Sequence, residues 1–325
     1  MRITFSRLTA LIASAAIAAL FAFVAIRMTG QATGQTARAA QATPPGRPAR
    51  TPDGHPNLNG IWQATTTANW DLLAHTMRPA VAQPGVYPDV PVLAAPVLAL
   101  GAVGGVPPGP GVVEGNVIPY KPEAAAKKKD NADHWLDRDP EVRCYMPGIP
   151  RAMYMPYPFR ITQGTNKIEM SFEFAGASRT IHLDPVDPPP ADTWMGHSVG
   201  HWEGNTLVVD VSHFNDRTWF SRSGDFHSDA LHVVERFTPI NPDALRYEVT
   251  IEDSNVFTGP WKMSMVLYRQ LEANAQLMEY KCTELVEETF LGHLRKKQLV
   301  KHWEGDTIIL DVTRKIPQGD KLYER

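Results

Sequence analysis

The sequence predicts a mainly β fold, an antiparallel β-barrel or sandwich with a few peripheral helices. Three observations predict it. After Met153 several short runs alternate apolar and polar residues with period two, the pattern of half-buried strands. Turn-forming residues separate these runs. Few helix-length stretches intervene, which disfavours the alternating βαβ pattern of a parallel sheet.

In chain order, the first element is an export signal or membrane anchor, assigned to residues 1–42. Arg2 and Arg7 precede an uncharged run from Leu8 to Ile26. A basic start, an apolar run and later small residues are the marks of a secretory signal. Ala37-Arg38-Ala39 and Ala40-Gln41-Ala42 are candidate cleavage sites. The run is also long enough to stay in the bilayer as an anchor, with the basic flank inside. Both alternatives place the rest of the chain in the periplasm or outside the cell, with the inner membrane as a partner if the segment is not cleaved.

Residues 43–142 read as a proline- and glycine-rich strap with one short strand and one helix. Residues 43–122 hold 15 of the 28 prolines and 10 of the 23 glycines. The apolar run Val92–Val113 is too broken by Pro and Gly for a helix and too apolar for a flexible linker. It is expected to lie on the folded domain. Leu58–Gln63 reads as the first strand. Pro122–Arg138 reads as a helix, with Pro at its first position and the strong helix formers Glu-Ala-Ala-Ala-Lys-Lys-Lys behind it.

Residues 143–325 are assigned to the barrel-like domain. The expected strands are Ile168–Phe174, Arg179–Leu183, Leu207–Val211, Leu231–Phe237, Leu245–Ile251, Trp261–Tyr268 and Gln276–Cys282. Val286, Phe290 and Leu294 recur at helical spacing, so Thr283–Lys297 is expected to be an amphipathic helix. One repeat is evident: HWEGNTLVVDVS at 201–212 matches HWEGDTIILDVT at 302–313. Each copy reads as strand, turn, strand, with the turns at Gly204-Asn205 and Gly305-Asp306.

Composition narrows the function. With 32 basic and 35 acidic residues the net charge is −3, against the broad basic face of a nucleic-acid binder. Hydrophobic residues make up 43% and charged residues 21%, ordinary for a folded chain. Two cysteines are too few for a disulfide scaffold or a four-thiolate zinc site. In an oxidising compartment Cys144 and Cys282 are expected to form one disulfide. There is no phosphate loop, dinucleotide fingerprint or Gly-x-Ser-x-Gly elbow, so no cofactor is expected.

Several segments carry a resemblance. PDGHPNLNGIW (52–62), DPEVRCYMPGIPR (139–151), WMGHSVGHWEGNTLVVDV (194–211), FNDRTWF (214–220), HSDALHVVERF (227–237) and TIEDSNVFTGPW (250–261) together resemble a large family of exported, β-rich bacterial proteins. The resemblance implies an exported β-rich domain and no particular reaction. Gly60-Ile61-Trp62 is similar to the Gly-x-Trp that opens the first strand of lipocalin-type barrels, which implies a lipocalin-like barrel and a small-molecule ligand.

Candidate site residues cluster between 194 and 236, where five of the eleven histidines fall. His197 and His201 share a strand face, but at about 3.3 Å per residue they stand about 13 Å apart, too far for one ion, and no metal site is assigned. Phe214–Asp229 mixes aromatic and polar residues and joins two strands, so it is expected at a barrel mouth. There His227 and Asp229 are the candidate catalytic base and orienting carboxylate. Trp194, His197, His201, Asn215, Asp216, Trp219, His232, Glu235 and Arg236 are the candidate ligand-binding residues. Glu235 shares the apolar face of its strand with Leu231, Val233 and Phe237. It is expected to be a buried carboxylate, held uncharged or paired with an arginine such as Arg246, or else an edge residue in water. Two functions remain open. One is a binder of a small apolar or amphipathic molecule. The other is a cofactor-free hydrolase, lyase or isomerase using His and Asp.

Overall fold

The structure is a computed structural model. It describes residues 49–80, 82–84, 91–93, 105–280, 282, 302–304 and 307–309. The expected signal or anchor at Leu8–Ile26 and the expected helix at Thr283–Lys297 lie outside the described residues. Among the described residues no helix is long and apolar enough to cross a membrane.

Nine of the described strands close into a barrel, so of the two β architectures the chain adopts the barrel. Its strands are β1 (Gly60–Ala64), β2 (Phe159–Gln163), β3 (Lys167–Phe172), β4 (Ser178–His182), β5 (His197–Glu203), β6 (Thr206–Ser212), β7 (His232–Asn241), β8 (Ala244–Glu252) and β9 (Trp261–Arg269). From β2 to β9 they follow one another around the wall in chain order, and β1 closes the ring between β9 and β2. The fold is thus mainly β, a closed barrel of nine strands. All neighbours are antiparallel except β4 and β5. A parallel pair needs a connection of about a dozen residues or more to bring the chain back to the same end. The proline-rich segment 183–196 supplies it, and Thr193 fixes its return by bonding to His213 and Asn215.

The alternation anticipated from sequence is realised strand by strand. In β8, Leu245, Tyr247, Val249 and Ile251 are buried while Arg246 and Glu252 face water. In β9, Trp261, Met263, Met265 and Leu267 point inward. Trp62, Phe159, Ile161, Ile168, Met170, Phe172, Ile181, Leu207, Val209, Val211, Val233 and Phe237 complete a dense apolar filling. Burial of each such side chain contributes about 1.5–3 kcal/mol, which makes this filling the main source of stability.

Three sequence expectations need correction, and one strand was not anticipated. Gln276–Cys282 alternates in sequence, yet the described residues there form no strand. They are part of a tail that leaves β9, passes Tyr280 against Tyr157 and Phe174, and reaches the disulfide. The helix expected at Pro122–Arg138 is two helices, α1 (Pro122–Asp133) and α2 (Trp135–Arg138), broken at His134, whose backbone leaves the helical region. Strand β2 was not anticipated, because five residues give little pattern. The short strand of the strap, β1, is a barrel strand.

Cys144 and Cys282 form the expected disulfide, with Cα atoms 5.6 Å apart. That separation lies inside the range a bridge requires. The sequence repeat also has a structural counterpart. Glu203 pairs with Thr206, Trp202 with Leu207 and His201 with Val208. In the second copy Glu304 pairs with Thr307, Trp303 with Ile308 and His302 with Ile309. The register is the same in both copies, with two residues between the paired ends, and in the first copy Gly204 provides the positive φ (61°) that a two-residue turn favours.

One end of the barrel is capped. The described residues of 65–158, with 213–231 and 253–260, belong to connections between strands at that end. Leu72, Val113, Ile118, Tyr154, Phe214, Phe220 and Phe257 from these segments join the barrel core. The strap also mends a gap in the wall. β1 pairs with only Leu267–Arg269 of β9, and beyond that Ser264 donates its backbone N–H to Val112.

Candidate functional site

Within the apolar interior stands one polar island. Glu235 on β7 is fully buried, so of the alternatives its sequence left open the edge position in water falls away. Its partner is not Arg246, which is exposed on the outer face, but Arg179 on β4. Arg179 Nη2 donates to Glu235 Oε2 at 2.6 Å, and the Tyr247 hydroxyl on β8 donates to Oε1 at 2.7 Å. Burial first, and the Glu235 charge second, hold the Tyr247 phenol well above its ordinary pKa, so it remains a proton donor. Both carboxylate oxygens are therefore satisfied. Arg179 is not: its Nε and Nη1 are buried with no hydrogen-bond partner. Ser198 Oγ is likewise buried without a partner. Ser198 lines the same wall, beside Ile181, two residues along β4 from Arg179.

Sequence reading found Glu235 but missed Arg179 and Tyr247. The same signal was available for Arg179, which alternates onto one face with Ile181 while Ser178, Thr180 and His182 take the other.

The segment 214–229 does not line an open mouth. Phe214, Trp219, Phe220 and Phe226 are buried and plug the barrel end. His227 is buried among them. Its Nδ1 lies 2.8 Å from the Ser228 carbonyl, which can only accept, so Nδ1 donates and Nε2 accepts from the Thr218 hydroxyl at 2.5 Å. Burial lowers the His227 pKa, outweighing the Ser228 carbonyl and Asp253, which favour the proton. Asp229 is exposed, and its neighbour Ser228 is held instead by Asp253. The structure thus does not bring His227 and Asp229 together as a hydrogen-bonded pair. Asn215 caps its own turn by accepting from the Arg217 backbone, and Asp216 is exposed.

The remaining candidates sit outside the barrel wall. Trp194 packs on Tyr145 with ring centres 4.9 Å apart. His201 and Arg236 both contact Glu203, and His232 contacts Asp210 at 2.8 Å. His197 lies between His182 and His213, with ring centres at 5.6 and 6.1 Å. Burial, then the neighbouring imidazoles, lower its pKa. Among the described residues no group of three or more His, Cys, Asp or Glu is placed to hold a metal ion. Of the candidate ligand-binding residues, Glu235 lines the interior.

The cap carries a second buried polar cluster, which sequence reading also missed. Arg151 forks onto Asp139 at 2.7 and 2.8 Å and reaches Glu141 at 2.6 Å. Arg222 from the 213–231 segment grips Glu141 with two nitrogens and lies 4.2 Å over the Trp70 ring. Asn69 bonds to Arg151 and Glu141. Here every charge is matched, and the cluster ties strap to loop. At the uncapped end a cavity of about 250 Å³ is lined by Asn57, Trp62, Asn241, Asp243 and Arg269 among others. Arg269 closes that end by stacking 4.2 Å over Trp62.

No family model matches the chain. No curated protein matches it either. Among solved structures, the chain is similar to a mutant of the fluorescent protein UnaG, at 14% identity and a TM-score of 0.24, covering 44% of this chain and 89% of that one.

Proposed function

We propose that the chain is an exported binding protein that holds a small apolar or amphipathic molecule inside the barrel. The observation that carries this reading is the partial satisfaction of Arg179. A buried donor without an acceptor costs about 1–3 kcal/mol. A buried ion pair is seldom better for stability than well-packed apolar side chains. An interior serving only the fold would be more stable without the Arg179–Glu235–Tyr247 island. Polar groups converging in an otherwise apolar enclosure are the composition of a small-molecule site. The interior is filled by side chains, and Met170, Met263 and Met265 are among them. Methionine is flexible enough to repack around a guest.

Export is supported by Arg2, Arg7 and the apolar run Leu8–Ile26, and by the Cys144–Cys282 bridge, which suits an oxidising compartment. The test of the binding reading is native mass spectrometry of the protein isolated from the exported fraction. A co-purified small molecule that denaturation releases is expected. A bare polypeptide mass in every preparation contradicts it. Export is tested separately with a reporter joined after Arg325 that works only outside the cytoplasm.

A further inference from the structure

The unpartnered nitrogens of Arg179 also bear on what the guest is. We propose that the barrel selects an uncharged hydrogen-bond acceptor, such as a ketone, ester or amide oxygen on an apolar body, and rejects carboxylates. This inference rests on the ligand-binding reading above and names the chemistry of its ligand.

Arg179 is already neutralised by Glu235 through the 2.6 Å contact. Tyr247 donates its proton to Glu235 and adds no charge. The island is therefore neutral but still has donors to offer, on Nε and Nη1 of Arg179, with the Ser198 hydroxyl on the same wall. An uncharged oxygen accepts these bonds and leaves the enclosure neutral. A carboxylate accepts them too, but it brings a net negative charge into apolar surroundings beside Glu235, at a cost in both desolvation and repulsion. A buried carboxylate needs a positive charge to pair with, and here Glu235 already holds that of Arg179.

The test compares 2-octanone with octanoate at pH 8, where octanoate is ionised, on the full exported chain. Binding is read by calorimetry and by the fluorescence of Trp62 and Trp261, which point into the barrel. The ketone is expected to bind at least ~10-fold more tightly than octanoate. Glu235→Gln keeps the shape and frees the Arg179 charge, so it is expected to shift the ratio toward octanoate by at least ~10-fold. Octanoate binding as tightly as the ketone overturns the inference and leaves the ligand-binding reading standing. An unchanged ratio in a folded Glu235→Gln protein overturns it as well. If neither probe binds, this inference falls, and the native mass spectrum decides the ligand-binding reading separately. Should Glu235→Gln not fold, the wild-type ratio alone decides.

Discussion

Arg222 and Glu141 are joined by two hydrogen bonds, at 2.8 and 2.9 Å, that lock the 213–231 loop onto the strap. Burial favours the protonated form of Glu141, but the charges of Arg222 and Arg151 prevail and bring its pKa down to about 2. The ordinary value is 4.5. A carboxylate depressed in the folded state stabilises the fold fully above its unfolded pKa. That stabilisation is lost as pH falls through the folded one. Denaturant melts between pH 5 and pH 2 are therefore expected to show falling stability, and Glu141→Gln is expected to flatten that limb while lowering stability at pH 7. A wild-type curve without slope across this interval contradicts the assignment.

His227 has the opposite charge logic and the same direction in pH. It is buried neutral, with a pKa below the usual 6.5. The unfolded chain takes up a proton there first, so stability is full above about 6.5 and declines as pH drops below it. His227→Gln is expected to remove this decline. Nuclear magnetic resonance titration of the imidazole gives a direct check, since a midpoint at or above the ordinary value is incompatible with the burial described.

The Cys144–Cys282 bridge joins residues 138 apart in sequence. In the chain-entropy model such a closure is worth roughly 4–5 kcal/mol. Reduction, or the Cys144→Ala/Cys282→Ala pair, is expected to lower the unfolding midpoint markedly and to free the tail that holds Tyr280 against Tyr157 and Phe174. Proteolysis after residue 269 reports the second effect. Equal protease resistance in the reduced protein contradicts it.

Much of the barrel was legible because its strands are half-buried. A strand with one wet face must alternate, as β8 and β9 do, and alternation survives in the sequence. The tail at 276–282 shows the limit: Met278 and Tyr280 alternate with polar Glu279, yet the described residues there form no strand. Glu235 was legible by the same logic, as a charge on an apolar face. Arg179 was harder, because a pairing between β4 and β7 joins strands that are not neighbours and leaves no local spacing. The cap cluster had no cue at all. Asp139, Glu141, Arg151 and Arg222 meet through irregular loops and short 3₁₀ turns, which have no period to read. The expectation of an open mouth at 214–229 underweighted its four aromatic residues. So much apolar surface is stable only when buried, and it fills the end of the barrel.

The central claim is that the Arg179–Glu235–Tyr247 island serves a ligand and not the fold. Replacing all three at once, Arg179→Met, Glu235→Leu and Tyr247→Phe, leaves no polar atom of the island stranded. Native mass spectrometry of this variant beside the wild type, with thermal unfolding of both, is the most direct measurement. The account predicts a small-molecule adduct on the wild type, no adduct on the variant, and an unfolding midpoint for the variant that equals or exceeds the wild-type value. A variant that keeps the adduct, or that loses several kcal/mol of stability, contradicts it.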